Sequence, residues 1–330
     1  KVETVIIHGD LPLHEQAARS ETVNHKGFVV FLVTNIAETS LTLPRVRYVV
    51  DSGRARKGRW NYRLQMFVLD IYPISAAAAR QRAGRAGRTG PGFSMHMASE
   101  YSTEGELGVH TEDLAPIILQ LKAANLNVAH LPWLDAPRLE DTEAAEEVLV
   151  SIGALTADEK VITDEGKTMA RLPLPPTMAK LCMLGKNRGV GRETAAVVAL
   201  THETTSVFQR TNEEATEQNR ARQRSQEQLV GTKSDAEALE SIFDTFMTKG
   251  NDNARKTWCE SACLNSDVLF RAKKTVEDIA SVLHLDLSRK GGGFLTKFAT
   301  SLAEVSPQTI CEGSHGHYIT ALNDIHVQAG

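Results

Sequence analysis

The stretch that most constrains this chain is Gln81 to Arg88, which reads QRAGRAGR. On a helix, Gln81, Arg85 and Arg88 are spaced four and three apart and project from one face. That face is a guanidinium cluster. Gly84 and Gly87 each cost a helix about 1 kcal/mol relative to alanine, so the segment contradicts its own local propensity, and such conflicts mark functional sites. Glycine also lets a phosphate approach the backbone. Arginines present fixed forks of donors that fit phosphate oxygens, which suits the spreading charge of a phosphoryl-transfer transition state. The competing reading is a solvated basic helix, and the repeat of AGR behind a leading QR is more specific than a run of charge.

Ahead of this stretch the pattern is α/β. Val5 to Ile7 form a short apolar run, and HGDLPLHEQ at His8 to Gln16 opens a helix with Pro12 near its first turn. Phe28 to Val33 is a continuous apolar run rich in β-branched residues, as expected of a buried parallel strand. Val46 to Val50 predicts another strand, which ends at Asp51-Ser52-Gly53, and strand ends feeding loops are where open α/β sheets hold ligands. From Asp51 to Pro73 the pattern predicts a β-hairpin or extended loop. Its Arg54, Arg56, Lys57, Arg59 and Arg63 have no acid among them. Arg56, Lys57, Arg59 and Trp60 offer phosphate neutralisation and a stacking surface for single-stranded RNA. A merely solvated basic loop is the alternative.

QRAGRAGR resembles motif VI of the superfamily 2 helicases in its DEAH-box RNA helicase form, and TNIAETSLTLP at Thr34 to Pro44 resembles motif V of the same family. The resemblance implies that Arg85 and Arg88 are arginine fingers and that Gln81 positions the attacking water or the γ-phosphate. It also places Gly84, Arg82 and Thr42 at the nucleotide. It implies RNA-backbone contacts from Thr34, Asn35, Thr39 and Ser40, with Glu38, Thr39, Ser40 and Thr42 linking RNA to nucleotide state. Arg56, Lys57 and Arg59 fall on a hairpin that grips RNA in the family. For any single motif V residue the alternative is a helix cap or a satisfied turn. Two positions depart from the family pattern: Pro44 stands where an acid or polar residue usually faces the ribose, and Ser20 where an aromatic stacks on adenine. Reduced contacts to the base follow, with low base selectivity.

The implied fold is an α/β RecA-like domain with a P-loop NTPase-like parallel sheet at 1–104, lacking its first strand. It is followed by a mainly α region, a winged helix at 105–176 and a ratchet or helical bundle at 177–285, and by a partial β OB-fold at 286–330. Residue patterns give these parts content. Leu114, Ile117, Ile118 and Leu121 fall at helical spacing. Ala144, Ala145, Val148, Leu149 and Ile152 make a second face, begun by Asp141 or Thr142 and stopped by Gly153. GALTADEKVITDEGKTMARLPLPP reads as a short strand, a turn and a small wing. Asn212 to Gln228 is polar and reads as partly loose, and Asn265 begins a helix faced by Leu269, Ala272, Val276, Ile279, Ala280 and Leu283. Arg271, Lys273 and Lys274 on that helix are RNA candidates by resemblance and ordinary surface cations by composition.

Neither a GxxxxGK[ST] loop nor a DEAH-like tetrad occurs in the 330 residues. The expectation is an ATP-dependent RNA helicase whose first RecA-like domain precedes Lys1 and holds most of the ATP and Mg²⁺ contacts, leaving this chain alone inactive. Implied partners are RNA, that first domain and a glycine-rich, G-patch-like activator docking on the winged helix. The alternatives are a degenerate helicase serving as a non-catalytic RNA-binding or protein-docking scaffold, and a DNA helicase. The net charge of -4 argues against a uniformly basic nucleic-acid binder without excluding a local one. No run of about 18 apolar residues and no leader is seen, so no membrane role is expected. Four scattered cysteines fit a reducing compartment, nucleus or cytoplasm. Cys259 with Cys263, and Cys311 with His315 and His317, lack the paired spacing of a zinc module, so no metal site is expected.

Overall fold

The computed structural model describes the chain except residues 1, 10, 12, 22–26, 40–42, 44, 63, 65, 89, 99–100, 103–107, 209–226, 228, 230, 232–233, 306–309, 314–315, 322–324 and 330; at 13, 14, 37, 39 and from 310 onward it describes backbone alone. The chain divides into two compact units, the first formed by 1–61 and 67–112, the second by 62–66 and 113–330.

The first unit runs β1 (Val2–Ile7), α1 (Leu13–Ser20), β2 (Phe28–Val33), α2 (Ile36–Thr39), β3 (Tyr48–Asp51), β4 (Arg54–Asn61), β5 (Met66–Pro73), α3 (Ala76–Ala83) and β6 (Phe93–His96). The parallel strands form two pairs, β1 with β2 from Val2↔Phe28 to Ile7↔Val33, and β3 with β6 from Tyr48↔Phe93 to Asp51↔His96. β4 and β5 make a two-stranded ribbon where the hairpin is expected. Because side chains alternate across a strand, one face of the first pair buries Val5 and Ile7 with Leu43, and Leu11, Val29, Phe31 and Val46 pack against them. The other face is open. Phe28 is 78% exposed and Leu32 53%, so β2 is covered on one side only, against the expectation of a strand buried on both. No described element covers Ile6, Val30 and Leu32, and an all-parallel sheet ordinarily has both faces covered. α3 seats Ala78 and Ala79 on Ile74, small residues that bring its backbone close to the sheet.

The second unit is mainly helical: α4 (Ala115–Ala123), α5 (Leu139–Ser151), α6 (Asp164–Ala170), α7 (Pro176–Asn187), α8 (Gly191–His202), α9 (Asp235–Thr248), α10 (Asp252–Ser261), α11 (Ser266–Leu283) and α12 (Phe294–Val305). β7 (Ile310–Gly313), β8 (Gly316–Ala321) and β9 (Ile325–Ala329) close the chain as an antiparallel meander. α5 starts before Asp141: Arg138 is its N-cap, and Thr142 Oγ1 donates back to the Arg138 carbonyl at 3.1 Å, so Thr142 lies inside the helix. The expected small wing shrinks to one bridge, Leu155↔Ile162, because the Thr163 hydroxyl accepts from Gly166 N–H at 2.9 Å and caps α6 in its place. α11 follows its sequence pattern, with Asn265 as N-cap and Val268, Leu269, Ala272, Val276, Ile279, Ala280 and Leu283 buried. Arg271 pairs with Glu203 at 2.7 Å, Lys273 with Glu277 at 3.8 Å and Lys274 with Asp278 at 3.5 Å. The polar stretch at 212–226 lies outside the described residues.

Candidate functional site

Asp51 ends β3, and register sets it beside His96 at the end of β6. The chain must then turn at once. Gly53 does so at φ +70, and a Cβ there would lie 2.1 Å from the Ala98 Cβ, so glycine is required. On the adjoining helix, Ser75 caps α3 by accepting from Ala78 N–H at 3.2 Å. α3 ends at Gly84, and the next amides reach back three residues: Arg85 to Arg82 at 3.1 Å, Ala86 to Ala83 at 3.1 Å, Gly87 to Gly84 at 3.3 Å. The tighter winding buries Ala86 against Gly92, where a Cβ would lie 2.2 Å from the Ala86 carbonyl. QRAGRAGR is therefore helical only at its start, and its arginines differ in exposure. Gln81 and Arg88 are exposed, whereas Arg85 is 8% exposed.

Arg82, expected at the nucleotide, turns inward. Its Nε donates to Glu38 Oε1 at 2.8 Å and its Nη2 to the same oxygen at 2.5 Å. Its Nη1 donates to Asp51 Oδ1 at 2.8 Å and to the Arg54 carbonyl at 3.1 Å. Asp51 is 4% exposed, takes the Gly53 N–H on Oδ1 at 3.0 Å and faces His96 Nδ1 with Oδ2 at 3.1 Å. Burial alone would raise the Asp51 pKa; the Gly53 amide, Arg82 and His96 outweigh it and hold the carboxyl below its ordinary range. Burial likewise pulls Arg82 down, and Glu38 and Asp51 more than restore it. A buried charge persists only when paired and fully hydrogen-bonded, and this cluster meets both conditions.

Arg85 Nη2 donates to the main-chain carbonyl of Glu38. Its pKa is lowered, first by burial and then by the neighbouring Arg88 charge. Arg85 and Arg88 bear like charges within reach of one another, with Gly87 between them in sequence. A Cβ on Gly87 would meet only the Gly84 carbonyl, at 4.0 Å, so nothing within the unit demands glycine there. The motif V residues Thr34 and Asn35 are exposed past the end of β2, with Thr34 N–H on the Ile7 carbonyl at 3.3 Å and Asn35 accepting the Glu38 N–H at 2.9 Å. Thr39 closes α2. Ser40, Thr42, Pro44 and Arg63 lie outside the described residues. On the ribbon Arg56 is exposed, with Lys57 and Arg59 partly so. Trp60 is less open than a stacking platform requires: its ring meets Phe67 edge-on at 5.2 Å, and its main-chain N–H donates to the Thr111 carbonyl at 2.7 Å. Ser20 is buried, its hydroxyl on the Ala17 carbonyl at 2.7 Å.

The side chains here carry the chemistry to meet an anion rather than to ligate a cation. Arg85, Arg88 and Gln81 supply N–H donors, while the two nearby carboxylates, Glu38 and Asp51, are both engaged by Arg82. Among the described residues no three of His, Cys, Asp and Glu gather in a way that holds a metal ion. Burial pushes the Cys182 thiol up to about 12 and Cys259 to about 11, away from the thiolate a metal needs. His315 lies outside the described residues, as do the side chains of Cys311 and His317.

Sequence reasoning placed Asp51 at a ligand-bearing strand end but missed its partners, and it missed His96 altogether. No local signal marks them, since 44 residues separate Glu38 from Arg82 and 45 separate Asp51 from His96.

Parallel strands with charged groups at their carboxyl ends, beside an arginine-bearing helix end, define the class: a RecA-like helicase domain. The helicase conserved C-terminal domain family matches residues 1–90, and the helicase-associated (HA2) winged-helix family matches 145–174. The chain belongs to the DEAH-box family of superfamily 2 helicases, as their C-terminal portion. It is 34% identical over 205 residues to the ATP-dependent RNA helicase HrpA of Escherichia coli, covering 57% of this chain and 16% of that protein. It is 31% identical over 275 residues to the pre-mRNA-splicing factor ATP-dependent RNA helicase prp22 of Schizosaccharomyces pombe, covering 81% of this chain and 23% of that one. The ATP-dependent RNA helicase DEAH11, chloroplastic, of Arabidopsis thaliana is 29% identical over 290 residues, 86% of this chain and 16% of the relative. The chain thus spans less than a quarter of the length of these relatives. The E. coli DExH-box NTPase HrpB shares the fold, with a TM-score of 0.67 at 23% identity over 98% of this chain and 34% of that structure.

Proposed function

We propose that the protein containing this chain is an ATP-dependent RNA helicase, coupling ATP hydrolysis to RNA translocation, unwinding or remodelling of RNA–protein complexes. The observation that carries the reading is the placing of Arg85 and Arg88 just past the end of α3, where Arg85 is buried on the Glu38 main-chain carbonyl and lies within reach of the Arg88 charge. HrpA and prp22, both ATP-dependent RNA helicases, support it. Arg85 and Arg88 act as arginine fingers on the γ-phosphate of ATP, and Gln81 orients the attacking water. Arg82 positions these groups from inside, a different role from the nucleotide contact expected of it. When bound, ATP with Mg²⁺ supplies the phosphoryl group and its charge neutralisation, held mainly by a first RecA-like domain of the parent protein. Thr34, Asn35, Thr39 and Ser40 contact the RNA backbone, and Arg56, Lys57 and Arg59 on the ribbon grip a single strand.

The region beyond the first unit acts as winged helix, ratchet bundle and the start of an OB-fold, and a glycine-rich activator docks on the winged helix. The protein works in the nucleus or cytoplasm; no helix among the described residues is long and apolar enough to cross a membrane. RNA-stimulated ATPase of the full-length protein tests the reading. Arg85→Ala lowers kcat by about 10³-fold or more, the effect of losing an arginine finger. A parent without ATPase, or one indifferent to that change, leaves the scaffold reading in its place, and equal stimulation by DNA favours a DNA helicase.

A further inference from the structure

The acid and imidazole at the ends of β3 and β6 lie behind the arginines and touch no substrate in the reading above, on which this inference rests. We propose that Asp51 and His96 form a positioning pair that sets Arg85 for phosphoryl transfer through Arg82 and Glu38.

The chain of contacts is continuous. His96 Nδ1 fixes Asp51 Oδ2 at 3.1 Å, and Asp51 Oδ1 takes Arg82 Nη1 at 2.8 Å, with the Gly53 amide on the same oxygen at 3.0 Å. Arg82 then clamps the Glu38 side chain through Nε and Nη2 onto a single oxygen, at 2.8 and 2.5 Å. The main-chain carbonyl of that same Glu38 receives Arg85. Four elements that are far apart in sequence, β3, β6, α2 and α3, thereby share one hydrogen-bonded unit. Asp51 has two jobs that a neutral side chain cannot fill together. It balances the Arg82 charge in a buried place, and it accepts from three directions at once. Removing its charge leaves Glu38 as the one acid of the cluster still pairing Arg82, beside the Arg54 carbonyl, and loosens the hold on the guanidinium. The Glu38 carbonyl moves with it, and so does the seat of Arg85. An arginine finger displaced by about 1 Å costs on the order of 10²-fold in rate.

The test is a cycle in the full-length protein, reading RNA-stimulated kcat and the KM for ATP. Asp51→Asn lowers kcat about 10- to 100-fold and changes KM by less than about threefold, because the finger acts in the transition state and contributes little to ground-state binding. In an Arg85→Ala background the same Asp51→Asn change lowers kcat by less than about twofold, since the group it positions is gone. A role confined to folding moves kcat equally in both backgrounds, and that result overturns the proposal, as does an unchanged kcat in the single variant. If Asp51→Asn fails to fold, the cycle is run with His96→Ala. The companion His96→Asn retains an N–H donor and restores at least half of the lost activity; no difference between the two overturns the role of His96. Wild-type protein lacking ATPase, or active but insensitive to Arg85→Ala, instead defeats the function proposed above, and the positioning role falls with it.

Discussion

Asp51 is where one residue carries the most consequence. Its folded-state pKa lies below the ordinary value of 3.8, so the unfolded chain binds the proton more readily. The stabilisation it provides is therefore fully present above about pH 5 and is lost as pH falls through 3.8 toward the lower folded value. Asp51→Asn destabilises the chain by about 2 kcal/mol at neutral pH, because Asn keeps an acceptor for Arg82 and Glu38 still pairs the guanidinium. Urea titrations of both proteins from pH 7 to pH 3 should show that gap closing in acid; a gap that stays constant contradicts the linkage. The arginines themselves were legible in the sequence, since QRAGRAGR is a local signal. Which of them faces inward was not: Arg82 and Arg85 carry the same side chain three residues apart, and only the positions of Glu38 and Asp51 separate their roles. His96, in the short strand Phe93–His96, has no neighbour in sequence that announces its partner.

Among the elements, α7 and α8 show packing that sequence periodicity hints at without fixing. Gly185 lies inside α7, where glycine costs a helix about 1 kcal/mol, and its use is closeness: a Cβ there would sit 2.4 Å from Thr194 Oγ1 and 2.7 Å from Thr194 Cβ. Thr194 is fully buried, with its hydroxyl on the Val190 carbonyl at 2.8 Å, so it cannot step aside. Gly185→Ala accordingly destabilises the second unit by about 1–3 kcal/mol despite the better helix propensity, read as a fall in the denaturant midpoint. Thr194→Ala in the same chain recovers part of that loss, and additive effects of the two changes would show that the helices do not meet there. Helices with a strong apolar face, such as α11, were readable to the residue because period and cap agree at Asn265. α5 and α6 were misjudged at their starts. Arg138 begins α5 with no side-chain cap, and Thr163 caps a helix within the stretch that reads in sequence as a short strand, a turn and a small wing.

For the molecule as a whole, charge bears directly on the RNA contacts proposed for it. A net charge of -4 over 330 residues gives no general attraction to a polyanion. The candidate cations of the second unit, Arg271, Lys273 and Lys274, each sit beside an acid, which offsets part of their charge. Arg56, Lys57 and Arg59 occupy a ribbon strand that holds no acid between Arg54 and Asn61. Counterion release then ties affinity to salt, with log K falling by about 0.7 per neutralised phosphate for single strands. The chain with Arg56, Lys57 and Arg59 all changed to Ala should bind single-stranded RNA more weakly at low salt. Its slope of log K against log salt should be shallower by about 2. The measurement is a fluorescence-anisotropy titration with a labelled homopolymer at several salt concentrations. A slope that does not change moves the RNA contact off the ribbon, onto the exposed motif V positions Thr34 and Asn35, whose neutral side chains carry little of the salt dependence and whose replacement would lower affinity equally at every salt.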